Sequence, residues 1–381
     1  MKKIYYWSPC LEKVGTYKST VNSAISLAKY NDNQYSIKVI NACGEWDKEK
    51  KTFEEYNIDL IDLNFNYFKF LPKNGYFKSR VSSLIIILTS FLPLIKLLKK
   101  DKPDILVIHL LTSLPLFLKY LFNIKTNIIL RISGFPKLNL FRKFIWTLSS
   151  KNIIKTLCPT IDLLDQLKKT NIFDESNLFF LPDPVISSNQ LILKRKPNNE
   201  YSKKTKSLNF ISAGRLTKQK NFIYLIEEFN EFIKINDNAT LSIFGKGEEK
   251  DKIKNKISEL KLNDKVFLKD YVDNIYHFML KSDAYILSSL WEDPGAVLIE
   301  SAINNLFVIS SDCKNGPSEF LSHGHGGILF KSNTKDALKK SLYEFSQMKE
   351  EDKLIKKINA KKNCLKYSLY RHYQSFNRIL D

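Results

Sequence analysis

Short β-rich runs alternate with helical stretches along this chain, stop once, and then start again. That rhythm limits the fold more than any other feature. Before the interruption the runs are 4–7, 37–42, 58–63, 105–109, 128–132, 153–158 and 178–181, with helical stretches at 20–30, 80–100 and 138–149. After it come 208–213, 241–244, 266–268, 284–287, 307–310 and 327–330, each followed by a helical candidate. Strands separated by helices call for crossover connections, so the expected fold is α/β: two doubly wound, Rossmann-like parallel sheets facing a central cleft. The polar Lys/Asn/Ser-rich stretch 186–207, which contains Pro197, reads as the linker. The expected division is an N-terminal domain 1–185, a linker 186–207 and a C-terminal domain 208–363. Residues 364–381 read as a Tyr/Lys/Arg-rich helix packing back on the first domain.

With 381 residues the chain can bury a sizeable core in each of two domains. Its formal charge is +20, and a surface this basic attracts phosphates, anionic headgroups and nucleic acids. The chain carries no zinc-finger spacing, aromatic RNA-binding signature or obvious helix-turn-helix, so nucleic acid is not the expected partner. Nucleotide-linked substrates and an anionic membrane surface fit better. Five scattered cysteines without a CxxC pair suggest reduced, buried thiols in a cytosolic protein. The opening Met1-Lys2-Lys3-Ile4-Tyr5-Tyr6-Trp7 reads as a first strand, because it is too short and too soon broken by Pro9 for a signal peptide. The apolar run 84–95 falls short of the roughly 20 residues that span a bilayer, so a buried helix is expected there. Its flanks Lys78, Arg80, Lys96, Lys99, Lys100 and Lys102 keep peripheral attachment in play.

The chemistry concentrates in Ser288-Ser289-Leu290-Trp291-Glu292-Asp293-Pro294-Gly295-Ala296-Val297-Leu298-Ile299-Glu300-Ser301-Ala302. Glu292 falls in the loop leaving a strand's carboxyl end, where open α/β sheets bind ligands. Gly295 and Ala296 open a helix whose free N–H groups and positive dipole end suit a phosphate. With Glu300 a further turn along, the segment can hold a sugar, a diphosphate and a ribose together. Gly214-Arg215, directly after an apolar strand, and Lys220 supply a forked donor and a mobile point charge for both phosphates of a nucleoside diphosphate. A second turn, Gly245-Lys246-Gly247, also follows a strand. In the first half Gly15 precedes a helix and allows close approach to a phosphate. His109 ends a strand, and Arg131 with Ser133 follows another and could line an acceptor side. The remaining histidines lack metal-site spacing, and without an Asp-x-Asp no divalent metal on the diphosphate is indicated.

These blocks resemble glycosyltransferase family 4, retaining enzymes of the GT-B fold. The matching pieces are Gly214-Arg215-Leu216 with Lys220-Asn221, Leu241 to Gly247, Ser282-Asp283-Ala284, the Glu292/Glu300 pair, and Ser310 to Glu319. The first half matches more loosely, through Gly15, Lys102-Pro103-Asp104-Ile105 and His109. The resemblance implies a nucleotide-sugar donor on the second domain, an acceptor on the first, and transfer that keeps the anomeric configuration without a metal or other cofactor. It implies that Arg215 and Lys220 hold the diphosphate, helped by backbone N–H groups from Gly295 to Val297, with Ala296 between them. Glu300 would bond the ribose, Tyr271 and Val272 would meet the base, and Glu292 would be the catalytic carboxylate at the donor sugar. Three departures stand out. Asp293-Pro294 replaces the usual Gly and bulky apolar residue, Gly15 stands alone where two glycines are common, and Arg131-Ile132-Ser133-Gly134 occupies a stretch where others carry a His. No general base is named, and none is needed if the leaving phosphate takes the acceptor's proton.

The function expected is therefore transfer of a hexosyl or N-acetylhexosaminyl group from a UDP-sugar to a saccharide, lipid-linked in bacterial O-antigen or capsule synthesis. The enzyme would be cytoplasmic and peripheral on the inner face of the plasma membrane, a placement suggested by the charge and by Phe141-Arg142-Lys143-Phe144-Ile145-Trp146. The alternatives are a nucleotide-sugar epimerase of the same fold and a non-catalytic nucleotide-sugar-binding protein.

Overall fold

The computed structural model describes residues 1–11, 15–72, 76–136, 138–194 and 207–381. The chain divides into two compact units, Met1–Val185 with Leu369–Asp381, and Ile186–Ser368.

The first unit is a seven-stranded sheet, parallel throughout: β1 (Lys2–Trp7), β2 (Tyr35–Asn41), β3 (Asp59–Asp62), β4 (Ile105–Ile108), β5 (Asn127–Arg131), β6 (Ile153–Cys158) and β7 (Leu178–Phe180). Their spatial order is β3-β2-β1-β4-β5-β6-β7. The order reverses between β1 and β4, which makes that junction the switch point where such sheets open a crevice. β4, Ile-Leu-Val-Ile, is buried at all four positions, as expected for a strand covered by helices on both faces.

The Gly15–Tyr30 helix covers one side of this sheet and packs against the Leu369–Leu380 helix. A buried polar chain runs through their junction. His372 Nδ1 donates to the Pro182 carbonyl at 2.8 Å, and Nε2 accepts from Ser23 Oγ at 2.9 Å. Tyr6 lies 3.0 Å beyond on the same hydroxyl. Burial, and then the charge of Arg131, hold the His372 imidazole down at about 3. The native state thus keeps this ring neutral while the unfolded chain protonates it below its ordinary value of 6.5. The unfolded state binds the extra proton, so stability falls as pH drops from 6.5 toward 3, by about 1.4 kcal/mol per pH unit from this group. His372→Gln should flatten the slope of unfolding free energy between pH 6.5 and about pH 5 in urea titrations. An unchanged slope would reject the assignment.

Three sequence expectations need correction here. The apolar run 84–95 belongs to a helix of 26 residues, Tyr76–Asp101, with Pro93 inside it. Only one side of that helix is buried, through Ile86, Leu94 and Ile95, while Val81, Leu84, Leu88 and Leu92 face the exterior. The stretch from Ile186, read as the linker, falls within the second unit. Ser188–Lys194 is helical, seeded by Leu191-Ile192-Leu193, and residues 195–206 lie outside the described residues. The boundary near the C-terminus falls after Ser368. Cys364 and Tyr367 stay buried in the second unit, and the returning helix starts at Leu369.

The second unit repeats the plan with six parallel strands: β8 (Leu208–Ala213), β9 (Ala239–Phe244), β10 (Val266–Lys269), β11 (Ala284–Leu287), β12 (Phe307–Ser311) and β13 (Ile328–Phe330). Their order is β10-β9-β8-β11-β12-β13, so the switch point lies between β8 and β11. Phe210, Phe229, Phe232, Phe307 and Phe345 pack edge-on or tilted beneath the sheet. All five cysteines of the chain are buried and unpaired by disulfides.

Candidate active site

In the second unit the switch point collects the predicted residues. β8 ends at Ala213, and Gly214-Arg215 turns out of it. β11 ends at Leu287, and the loop to Glu292 leaves beside it. Ser288 Oγ donates to the Lys220 carbonyl at 2.8 Å, and Leu290 N donates to the Gln219 carbonyl at 2.8 Å, so the two loops are stitched together. Gln219 continues the link with its side chain. It donates to the Trp291 carbonyl at 2.8 Å and accepts from Arg215 Nη2 at 3.3 Å.

Lys220 reaches across this seam and forms an ion pair with Glu292. The same carboxylate oxygen accepts from Ser289 Oγ. Glu292 is 4% exposed and Ser289 fully buried, so this carboxylate is held rather than free to rotate. Its loop is anchored from the far side as well, by Glu292 N donating to the Lys314 carbonyl at 3.1 Å. The Asp293–Pro294 peptide is cis. Gly295 then takes φ +91°, a left-handed conformation that favours glycine. A Cβ there would lie 3.5 Å from the Glu292 side chain. From this turn the Ala296–Ile303 helix starts, with its first N–H groups lacking intrahelical partners. Glu300 is buried one turn in. Tyr285 of β11 ties the two glutamates together electrostatically. Its phenol is pushed well above its usual value by burial first and then by the charges of Glu292 and Glu300. Burial likewise drives the Cys313 thiol up to about 12, with Glu292 raising and Lys220 lowering it.

The β8 turn is set by close backbone approach. A Cβ on Gly245 would stand 1.9 Å from the Gly214 carbonyl oxygen, which no rotamer change relieves. The stem of Lys220 lies over Gly214, with Cε 3.1 Å from where a Cβ would be. Gly245→Ala should therefore displace the Gly214-Arg215 turn, at a cost of about 1–3 kcal/mol. A thermal melt at the parent value would refute this reading of the turn.

Other predicted residues stand apart from this group. Tyr271 and Val272 follow the edge strand β10, and Tyr271 is half exposed; among the described contacts neither is hydrogen-bonded to Arg215, Lys220 or Glu292. In the first unit, Gly15 opens its helix with open space, clear to 4 Å, where a side chain would begin. His109 follows β4 at that unit's switch point, where His109 N donates to the Trp7 carbonyl at 3.0 Å. Its ring is buried and hydrogen-bonded to Thr20 Oγ1 at 3.3 Å and to Ser133 Oγ at 2.6 Å. Burial and the Arg131 charge hold it well below the ordinary histidine value, so the imidazole is neutral at physiological pH. Arg131 is the correction. Its guanidinium does not line an open surface but is buried in an ion pair with Asp183. The Ser133 hydroxyl is hydrogen-bonded to His109.

Sequence reasoning assigned no role to Ser289, Gln219 or Tyr285. Ser289 was legible only as a hydroxyl three residues before Glu292 in the same loop. Gln219 carried no signal beyond lying between two lysines. Among the described residues no group of three or more His, Cys, Asp or Glu is placed to hold a metal ion.

Residues 194–362 match the family model of glycosyl transferases group 1. An uncharacterized glycosyltransferase of Methanocaldococcus jannaschii is 35% identical over 179 residues, covering 42% of this chain and 44% of the relative. The N-acetylgalactosamine-N,N'-diacetylbacillosaminyl-diphospho-undecaprenol 4-alpha-N-acetylgalactosaminyltransferase of Campylobacter jejuni is 28% identical over 246 residues, 63% of this chain and 65% of the relative. The chain thus spans less than two thirds of either relative's own length. Among solved structures, a glycosyltransferase from Rickettsia africae superposes with a TM-score of 0.75 at 18% identity, covering 99% of this chain and 97% of that one. Anabaena Alr3699/HepE, solved in complex with UDP and glucose, superposes at 0.71 and 13% identity over 100% and 99%. These likenesses establish a GT-B fold for the chain, whose residues 194–362 match the glycosyl transferases group 1 model.

Proposed function

We propose that this chain is a retaining, metal-independent glycosyltransferase. It moves a hexosyl or N-acetylhexosaminyl group from a UDP-sugar to a saccharide acceptor that is lipid-linked, on the cytoplasmic face of a membrane, in bacterial surface polysaccharide synthesis. The observation that carries the reading is the Lys220–Glu292 ion pair at the carboxyl ends of β8 and β11, with Arg215 one side chain away and a helix start beside it. That arrangement sets a carboxylate next to two cations, the pairing needed by a donor with a sugar at one end and a diphosphate at the other. Relatives support the substrate class. The Campylobacter enzyme's name specifies a diphospho-undecaprenol acceptor and an alpha linkage, and a Bacillus subtilis relative is a poly(glycerol-phosphate) alpha-glucosyltransferase.

In this reading the bond from the sugar's anomeric carbon to the β-phosphate oxygen breaks and its electron pair leaves on the diphosphate. Arg215, Lys220 and the N–H groups from Gly295 to Val297 stabilise that growing charge, in the role a divalent ion fills elsewhere. Glu292 stabilises positive charge at the anomeric carbon. The acceptor hydroxyl attacks from the face the diphosphate leaves, and its proton passes to the departing phosphate oxygen. Glu300 holds the ribose, and Tyr271 and Val272 border the base. His109, neutral and hydrogen-bonded to Ser133, offers hydrogen bonds on the acceptor side.

Arg215→Ala should weaken UDP binding about 10- to 100-fold through loss of charge-assisted hydrogen bonds, measured by calorimetry. A panel of nucleotide sugars with and without lipid-linked acceptor tests the whole reading. Donor turnover that needs an acceptor supports transfer, epimerised donor without acceptor supports an epimerase, and binding without turnover supports a binding protein.

A further inference from the structure

We infer that the first unit carries a lipid-docking surface, formed by the neighbouring helices Tyr76–Asp101, Ser113–Phe122 and Leu140–Ser149, that lies on an anionic bilayer. The inference deepens the proposed function by naming the surface through which the enzyme would meet its lipid-borne acceptor.

The long helix is apolar on opposite sides. Ile86, Leu94 and Leu98 face the core, while Leu84, Leu88 and Leu92 face outward, Leu88 being 67% exposed. Steps of four keep those three leucines within about 80° of one another around the axis. A helix apolar all round belongs in an interior or in lipid, yet only 33% of its most apolar stretch is buried. The Leu140–Ser149 helix repeats the device with the same step: Leu140, Phe144 and Leu148 are all exposed, Phe144 at 65%. Between them, the Ser113–Phe122 helix exposes Phe117, Tyr120 and Leu121. Phe122 at its end packs edge-on against Phe91 of the long helix, with Lys99 5.3 Å over its ring. Three neighbouring helices that each expose apolar side chains offer more apolar surface than scattered single residues would.

Charge selects the occupant. The three helices carry eight Lys and Arg residues and one acid. That acid, Asp101, accepts from the Tyr5 hydroxyl at 2.9 Å. Arg80 and Arg142 approach closely enough that the Arg80 charge, after burial, lowers the Arg142 guanidinium from its ordinary value. A second copy docking through the same face would oppose cation to cation, whereas anionic headgroups complement it. The mode is interfacial, not spanning. The inner side of the long helix is committed to the core at Ile86, Leu94 and Leu98, and Ser82 donates to the Pro72 carbonyl at 2.5 Å.

The test is co-sedimentation of the full chain, without donor or acceptor, with vesicles of phosphatidylcholine alone or with about one-third phosphatidylglycerol. The chain should pellet with the anionic vesicles and be released by about 0.5 M salt. Leu84→Asp/Leu88→Asp should lose about tenfold or more of that affinity, and Arg80→Glu/Lys143→Glu should lose the preference for anionic lipid. Both should keep the parent's melting temperature and UDP affinity; if the aspartates unfold the unit, Leu84→Asn/Leu88→Asn replaces them. Absence of pelleting, unchanged pelleting of the variants, or conversion of a parent dimer to monomer by both variants would overturn the inference. Because no sugar is present, vesicle binding can fail while UDP binding and transfer to a soluble acceptor survive. The docking surface and the enzymatic reading can therefore be rejected separately.

Discussion

Glu292→Gln is expected to lower glycosyl transfer by about two to three orders of magnitude while leaving UDP affinity within a few-fold of the parent. The substitution keeps the shape of the side chain and an oxygen that can still accept from Ser289 Oγ. What disappears is the negative charge, and with it, in the proposed mechanism, the stabilisation of positive charge at the anomeric carbon. The diphosphate subsite should respond the other way. The Lys220 ammonium is paired with Glu292. A neutral glutamine frees that ammonium for phosphate, so nucleotide affinity holds or rises slightly. Loss confined to kcat marks an interaction made in the transition state, whereas a matched loss of UDP affinity would move Glu292 from the sugar to the nucleotide. Transfer at the parent rate would remove the catalytic assignment altogether. The variant should remain folded, because the loop is also held through backbone bonds from Glu292 N to Lys314 and from Leu290 N to Gln219.

The fold was legible because buried parallel strands have a local signature. Runs such as Ile105-Leu106-Val107-Ile108 and Ala284-Tyr285-Ile286-Leu287 are continuous, apolar and short, and all thirteen runs read from the sequence are strands here. The glutamates, Arg215 and Lys220 were legible because a strand end followed by glycine and charge is also local. Their meeting was not, since Lys220 and Glu292 are separated by 72 positions. Sequence places each at a strand terminus, and only the parallel pairing of β8 with β11 brings the termini together. The long helix was misjudged for a related reason. Hydropathy reports that Leu84 and Leu88 avoid water, but not whether protein or lipid covers them. Arg131 exposed the same limit: an arginine at a strand end reads as a ligand group until its partner, Asp183, is found beyond β7.

That pair carries the largest expected effect on stability. Arg131 ends β5, Asp183 follows β7, and both side chains are more than nine-tenths buried. The guanidinium charge is felt by His109 and by His372, each held neutral partly on its account. Asp183→Ala would leave this cation buried without its carboxylate and beside two rings that cannot accept a proton cheaply. Removing one partner of a buried ion pair costs about 3–5 kcal/mol, a large share of the roughly 5–15 kcal/mol that usually holds a domain. The first unit should therefore lose most of its margin while the second is untouched. Trp7, Trp46 and Trp146 lie buried in the first unit, so tryptophan fluorescence in urea reports chiefly on it. Arg131→Met combined with Asp183→Leu removes both charges, and apolar replacement of a whole buried pair is often neutral or stabilising. The double variant should recover most of the loss. If Asp183→Ala unfolds within about 1 kcal/mol of the parent, or the double variant is no more stable than the single, the carboxylate is not what makes the buried arginine tolerable.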